Sequence, residues 1–374
     1  MPKPEWSGMV PVVHGAFDHE ELSRLGLDTK DVIDFSASVN PYGTPLEVRR
    51  AAKAAPMDSY PDRECHELRR KLEEHAGVDH GCIAVGSGSA ELIDHLARGY
   101  LGPGDRALII GPTFGEYARA IRLCGAQVRK FDRQISDRAV SLDLPPLLEM
   151  VRRDRPRMVW LCNPNNPTGD YLRRPQVEQL LEACVEAGTL LVIDEAYHDL
   201  MLSETPDSLV DLLPTGHLVL LRSMTKSYAL AGLRLGYVLA HSLTVEVLSV
   251  ARPPWNVSSP AQAAGIAALS LSAGAHLEAS LKKLRRDAAY LRWGLERLGY
   301  NVLPFCANFM LVHVGDGARV RSRLLEHALQ VRDCASFGLP EYIRISVRRH
   351  NECRKLLAAL AKLSGEHAIG SDGE

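Results

Sequence analysis

A lysine set among small and hydroxylated residues can do chemistry that a solvated lysine cannot. Lys226 lies in SMTKSYALAGLRLGY (223–237), just past the apolar run LVLL (218–221), with Arg234 eight positions further on. Desolvation and a nearby cation both lower a lysine's pKa, and a neutral amine can form a Schiff base with a carbonyl. VIDEAY (192–197) closes another apolar run with Asp194, Glu195 and Tyr197. A carboxylate at the carboxyl end of a parallel strand sits where α/β folds bind ligands. NPNNPTG (163–169) follows a third run. Its prolines stop both strand and helix, so its amide side chains are presented at the same sheet edge.

GSGSAE (86–91) puts glycines at a strand-to-helix junction, where backbone N–H groups and the helix dipole hold phosphate. It lacks the GK[ST] of a nucleoside-triphosphate loop, and read as GxGxxG its sixth position is Glu91. What remains is a phosphomonoester site. A phosphate cradle, a strand-end carboxylate able to partner a pyridinium nitrogen, an asparagine turn and an amine-bearing lysine together form the parts list for pyridoxal phosphate.

Elements must bring these segments together. Short apolar runs at 82–85, 107–110, 158–162, 190–193, 218–221 and 236–240 leave room for a helix between them, the rhythm of a parallel sheet. Residues 89–101 and 175–188 read as helices, and Gly188 suits a C-cap. The pattern predicts an α/β fold: a large domain with a mostly parallel sheet flanked by helices over 46–250, after an N-terminal segment, 1–45. PPWNVSSP (253–260) marks a boundary before a smaller α+β domain over 251–363, and 364–374 reads as a loose tail.

Composition narrows the partners. The 374 residues are 46% hydrophobic and 24% charged, with a formal net charge of −2, so no global positive field recommends nucleic acid or membrane. KKLRR (282–286) reads as a solvated helix face. A small-molecule substrate is the expectation. No apolar run reaches the roughly 18 to 20 residues of a membrane helix, and MPKPEWSGM has no basic stretch leading into an apolar one, which points to the cytoplasm. Eight cysteines without a CxxC pair read as reduced thiols, with no metal site.

NPNNPTG, VIDEAY and SMTKSYALAGLRLGY together resemble the fold-type I aminotransferases, from about residue 12 to 363. Within that superfamily the chain is similar to histidinol-phosphate aminotransferases and, more closely, to the threonine-phosphate decarboxylases of cobalamin synthesis. The second likeness rests on VVHGAF (12–17), IDFSASVNPYG (33–43), YPDRECHELRRKL (60–72), PTFGEY (112–117) and VRDCASFGLPEYIRISVR (331–348). Such decarboxylases usually carry HGG where this chain has His14-Gly15-Ala16.

The resemblance implies roles. Lys226 is the cofactor-binding amine and proton shuttle, Asp194 holds the pyridine nitrogen, Asn166 and Tyr197 bind the ring's 3-oxygen, and Phe114 stacks on the ring. The Ser89 and Ala90 backbone after Gly88, with Ser223, Thr225 and Arg234, holds the cofactor phosphate. Tyr60 reaches the phosphate of a neighbouring subunit, which implies a homodimer. Arg344 takes a substrate carboxylate, with Asn40 as a second candidate, Arg332 clamps a substrate phosphate, and His14 lines the mouth. Decarboxylation of L-threonine O-3-phosphate is the reading these segments favour, with transamination, of histidinol phosphate or another amino acid, as the alternative. A non-catalytic ligand-binding protein of the same fold is a distant third.

Overall fold

A computed structural model of the chain describes residues 6, 8–203 and 205–370. Each of the six apolar runs becomes a strand and Gln127–Asp132 adds a seventh: β1 (Ile83–Gly86), β2 (Arg106–Gly111), β3 (Gln127–Asp132), β4 (Met158–Cys162), β5 (Leu190–Asp194), β6 (Leu218–Ser223) and β7 (Gly236–Ala240). They form one seven-stranded sheet in the order β1-β7-β6-β5-β4-β2-β3. Every residue of β4 and β5 is buried, because helices cover both faces. Alternate residues feed the two cores: Val159, Leu161, Leu191 and Ile193 point one way, Trp160, Val192, Val219 and Leu221 the other. Edge strand β3, QVRKFD, is mostly exposed and carries charges, so its apolar content is too low to signal a strand in the sequence.

The sheet is not wholly parallel. β7 runs antiparallel to both β1 and β6, with Gly236 in register with Gly86 on one side and Ser223 on the other. The mostly parallel sheet expected from the sequence is what forms; were β7 parallel too, the residues just before it would lie at the opposite edge from Lys226. Because β7 is reversed, Arg234 arrives beside the glycine loop and the β6 end.

The second core is built on a four-stranded antiparallel sheet that includes Phe309–His313, Arg332–Asp333 and Tyr342–Ser346, and Arg332 pairs directly with Arg344. The N-terminal segment joins it, since Ile33–Asp34 pairs with Leu329–Gln330 and Phe35 is buried in this core. The boundary expected at 251–260 falls elsewhere. Helix Ser259–Ala268 packs Ala261, Ala264 and Ala268 into the core of the large sheet. The changeover comes inside the 27-residue helix Leu271–Arg297, whose Ala273 belongs to the first core and whose Leu284, Leu291 and Leu295 belong to the second. The last helix, His350–Gly370, also continues past residue 363, where a loose tail was expected; 371–374 lie outside the described residues. Among the described residues no helix is long and apolar enough to cross a membrane.

Gly236 shows how closely the sheet and the glycine loop approach. A Cβ there would stand 3.0 Å from both the Arg222 carbonyl oxygen and the Ser89 amide nitrogen, and 3.1 Å from the Gly88 carbonyl carbon. These are backbone atoms, which cannot rotate away. Gly236→Val is expected to cost about 1–3 kcal/mol, read as a lower thermal unfolding midpoint.

Candidate active site

The carboxyl ends of β4, β5 and β6 open into a cavity of about 560 Å³ lined by Lys226, Asp194, Asn166, Tyr197, Arg234 and Arg344, among others. Lys226 lies on the single helical turn Met224–Ser227 that caps β6. Its amine is pushed down to about 8, first by burial and then by the positive charges of Arg344 and Arg234, with Asp194 and Asp34 opposing them. The neutral fraction needed for attack on a carbonyl is therefore available near neutral pH.

Asp194 ends β5 with its carboxylate pinned at both oxygens. The Ala196 amide donates to Oδ1 at 3.0 Å and the Tyr117 hydroxyl to Oδ2 at 2.7 Å. Burial raises its pKa to about 6, and the bonds from Tyr117 and Ala196 hold it from rising further. Tyr117 is fully buried, its ring stacked on Trp160 with centroids 4.9 Å apart. Sequence reasoning missed it. The signal was its place in PTFGEY, close behind Phe114, whose ring it meets edge-on with centroids 5.7 Å apart.

The phosphate cradle takes the form the glycines suggest. Helix Ser89–Tyr100 starts after Gly88, which has φ +84° and no side chain to cap the first turn, and Ser89 and Ala90 at that uncapped start line the cavity. A Cβ on Gly88 would lie 2.6 Å from Nη2 of Arg234. Only glycine lets that guanidinium cover the loop. Thr225 Oγ1 lies 2.6 Å from Ser223 Oγ behind it. Uncapped amides, a guanidinium and the Thr225 hydroxyl at one helix start fit the phosphate of pyridoxal phosphate. Glu91 has its own task, accepting from the Ser87 amide at 2.6 Å and from Asn256 at 2.7 Å.

On the opposite wall Arg344 donates through Nη1 to Asn166 Oδ1 and through Nη2 to the Ser36 carbonyl at 2.5 Å. Its guanidinium lies 5.3 Å from the Phe309 ring centroid, and Tyr197 meets the same ring edge-on at 4.9 Å. Arg332, buried and in the cavity wall, donates through Nη2 to the Val13 carbonyl at 2.9 Å and to Ser336 Oγ at 2.5 Å. Its Nη1 lies 3.5 Å from Asp333 Oδ2. His14 lines the mouth with its ring 5.5 Å from that of Phe114.

Three expected residues stand apart from the cavity. Asn40 donates from Nδ2 to the Ser227 carbonyl and accepts from the Tyr42 amide at Oδ1, both at 3.0 Å, and its own amide bonds the Lys226 carbonyl. With both ends of its amide used, it braces the lysine turn and is not the carboxylate ligand expected. Ser223 supports Thr225 from behind. Tyr60 is 78% exposed and stacks on Trp255 with centroids 4.5 Å apart, away from the cavity of its own chain.

Comparison with known proteins bears on the same site. The family model described as aminotransferase class I and II matches residues 30–360. The chain is 35% identical to histidinol-phosphate aminotransferase 1 of Thiobacillus denitrificans, over 92% of this chain and 88% of that one. It is also 35% identical to histidinol-phosphate aminotransferase 2 of Pseudomonas aeruginosa, over 92% of each. A crystal structure of histidinol-phosphate aminotransferase from Sinorhizobium meliloti in complex with pyridoxal 5'-phosphate superposes with a TM-score of 0.86 at 26% identity, covering 97% of both chains. These relatives are named for amino transfer. Of the two reactions left open by the sequence, they support transamination over the threonine-phosphate decarboxylation that the terminal motifs favoured.

The buried amine gives a direct test. In cofactor-free protein, the rate at which Lys226 reacts with a carbonyl reagent follows its neutral fraction, so it is expected to rise through pH about 8. An ordinary lysine would do so near ~10.4. Arg344→Ala removes a positive neighbour and moves the midpoint to higher pH. A wild-type midpoint at the ordinary value would mean a solvated amine.

Proposed function

Since the chain belongs to the class I and II aminotransferase family, we propose that it moves an amino group between a phosphorylated amine, with histidinol phosphate the first to try, and a 2-oxo acid. Its cofactor is pyridoxal 5'-phosphate. The observation that carries the substrate reading is the pair of buried arginines, Arg332 and Arg344, on the cavity wall across from Lys226 and the cradle. Two substrates share such a site in turn. One brings a phosphate to Arg332, and the other brings a carboxylate, which the planar guanidinium of Arg344 suits.

When bound, pyridoxal phosphate supplies an electron sink for the bond broken at the substrate's α-carbon. The chain does the rest. Ser89, Ala90, Thr225 and Arg234 would hold its phosphate, and Phe114 lies at the cavity wall where a ring would stack. Asp194, kept ionised by Tyr117 and the Ala196 amide, would hold a proton on the pyridine nitrogen, and Asn166 and Tyr197 would bond the 3-oxygen. Lys226 carries the proton to and from the α-carbon, a role its lowered pKa suits. We also infer a homodimer, supported by the exposed Tyr60–Trp255 stack; sedimentation as a monomer at working concentration would count against it.

Histidinol phosphate with 2-oxoglutarate is expected to yield glutamate, and Lys226→Ala to abolish both turnover and the visible absorbance of bound cofactor. Carbon dioxide released over many turnovers from O-phosphothreonine without an oxo acid would overturn the reading, because a transaminase stalls after one half-reaction. Arg332→Ala is expected to raise KM for the phosphorylated substrate far more than for its unphosphorylated analogue. Losing a charge-assisted pair costs roughly 2 to 4 kcal/mol, a factor of tens to several hundred.

A further inference from the structure

Nothing in the roles above uses Glu116, yet its carboxylate is buried in the cavity wall at 6% exposure. We propose that Glu116 is a positioning residue that makes the site selective for a phosphomonoester by holding the His14 ring beside Arg332. The proposal rests on the reading that Arg332 takes the substrate phosphate.

Glu116 opens helix Glu116–Leu123. Its Oε1 lies 2.8 Å from Nε2 of His14, and its Oε2 accepts from Nε of Arg119. Arg119 in turn donates through Nη2 to Asp94 at 2.9 Å, on the helix that begins at the phosphate cradle. The carboxylate is thereby fixed to the large domain. Burial pushes its pKa up, but the bonds from His14 and Arg119 outweigh burial and keep it below the ordinary value. An ionised carboxylate can only accept, so His14 donates from Nε2 and its Nδ1 is the nitrogen left for a ligand.

The residues around His14 bring it to the arginine. Val13, one residue back, gives its carbonyl to Arg332. The Ala16 amide donates to Ser36 Oγ at 2.8 Å, and the Ala16 carbonyl accepts from Gln330 Nε2 at 2.5 Å. A Cβ on Gly15 would stand 2.5 Å from the Ser36 carbonyl oxygen, the group that Arg344 bonds, so only glycine passes there. Ala16 holds φ +87°, a glycine-like angle, so the departure from HGG leaves the backbone path intact. Residues 13–16 are thus stitched to the small domain by Arg332, Ser36 and Gln330 and clasped to the large one by Glu116. With Nε2 clasped by the Glu116 carboxylate, the ring has Nδ1 left for a hydrogen bond with a phosphate oxygen. A neutral substituent would gain nothing from that arrangement.

The test is steady-state kinetics of the holoenzyme with histidinol phosphate and with histidinol, for wild type, Glu116→Gln, His14→Ala and the double variant, with cofactor absorbance checked in each. Glu116→Gln is expected to raise KM for histidinol phosphate about tenfold, with kcat and the KM for histidinol little changed. His14→Ala does the same, and the double variant is no worse than His14→Ala alone, because the carboxylate acts through the ring. Glu116→Asp, which keeps the charge but withdraws it by one methylene, gives an intermediate KM. Equal losses on both substrates, additive effects in the double variant or an unchanged KM would each overturn the proposal. If Arg332→Ala raises KM for histidinol phosphate and Glu116→Gln does not, this inference alone falls. A wild type indifferent to the phosphate removes the underlying reading and this one with it.

Discussion

Water exclusion at the carboxyl edge of the large sheet is the constraint on which the site depends. An amine and a carboxylate are buried in one cavity, and desolvation moves them toward each other, Lys226 down to about 8 and Asp194 up to about 6. Neither shift would survive in bulk water. The surrounding structure reads as a set of counterweights. Tyr117 and the Ala196 amide keep the carboxylate from neutralising altogether, while Arg344 and Arg234 keep the amine from holding its proton too firmly. The cores behind the strands, packed with residues such as Trp160 and Val192, are what keep water from that edge.

The reversal of β7 is the topological expression of the same constraint. A guanidinium is needed at the phosphate loop, and the loop lies at the end of the edge strand β1. Running β7 antiparallel between β1 and β6 puts the turn carrying Arg234 against Gly88. Glycines at 88 and 236 then follow from packing alone, since backbone and guanidinium occupy the space a side chain would fill.

Much of this was legible in the sequence because strong local signals coincide with function. The strands β4, β5 and β6 are continuous apolar runs, and the residues that end them are the ones that carry the chemistry. What stayed hidden was decided by register. Strand direction has no signature in the composition of GYVLA, so a mostly parallel sheet could be read but not which strand is reversed. Tyr117 and Glu116 look like ordinary first-turn residues of a helix until Asp194 and His14 are placed beside them. Asn40 has the right chemistry for a carboxylate ligand, but two backbone partners were already within reach. The proline- and serine-rich break at 253–260 looked like a domain boundary, whereas helix Ser259–Ala268 is recruited back by its alanine face. Transamination against decarboxylation lay beyond any local signal, and the relatives tipped that balance.

The cross-strand pairing of Arg332 with Arg344 makes the small sheet a caliper. Directly opposed residues of an antiparallel pair share a face, with Cβ atoms roughly 4.5–5.5 Å apart, so the jaws of this gauge are set by backbone geometry and not by flexible loops. Any rigid rotation of the small sheet carries both guanidinium groups together and leaves their gap unchanged. In the roles proposed for the two arginines, phosphate and carboxylate would meet a fixed pair of anchors, and a slip of a single residue in the pairing would turn one jaw to the far side of the sheet.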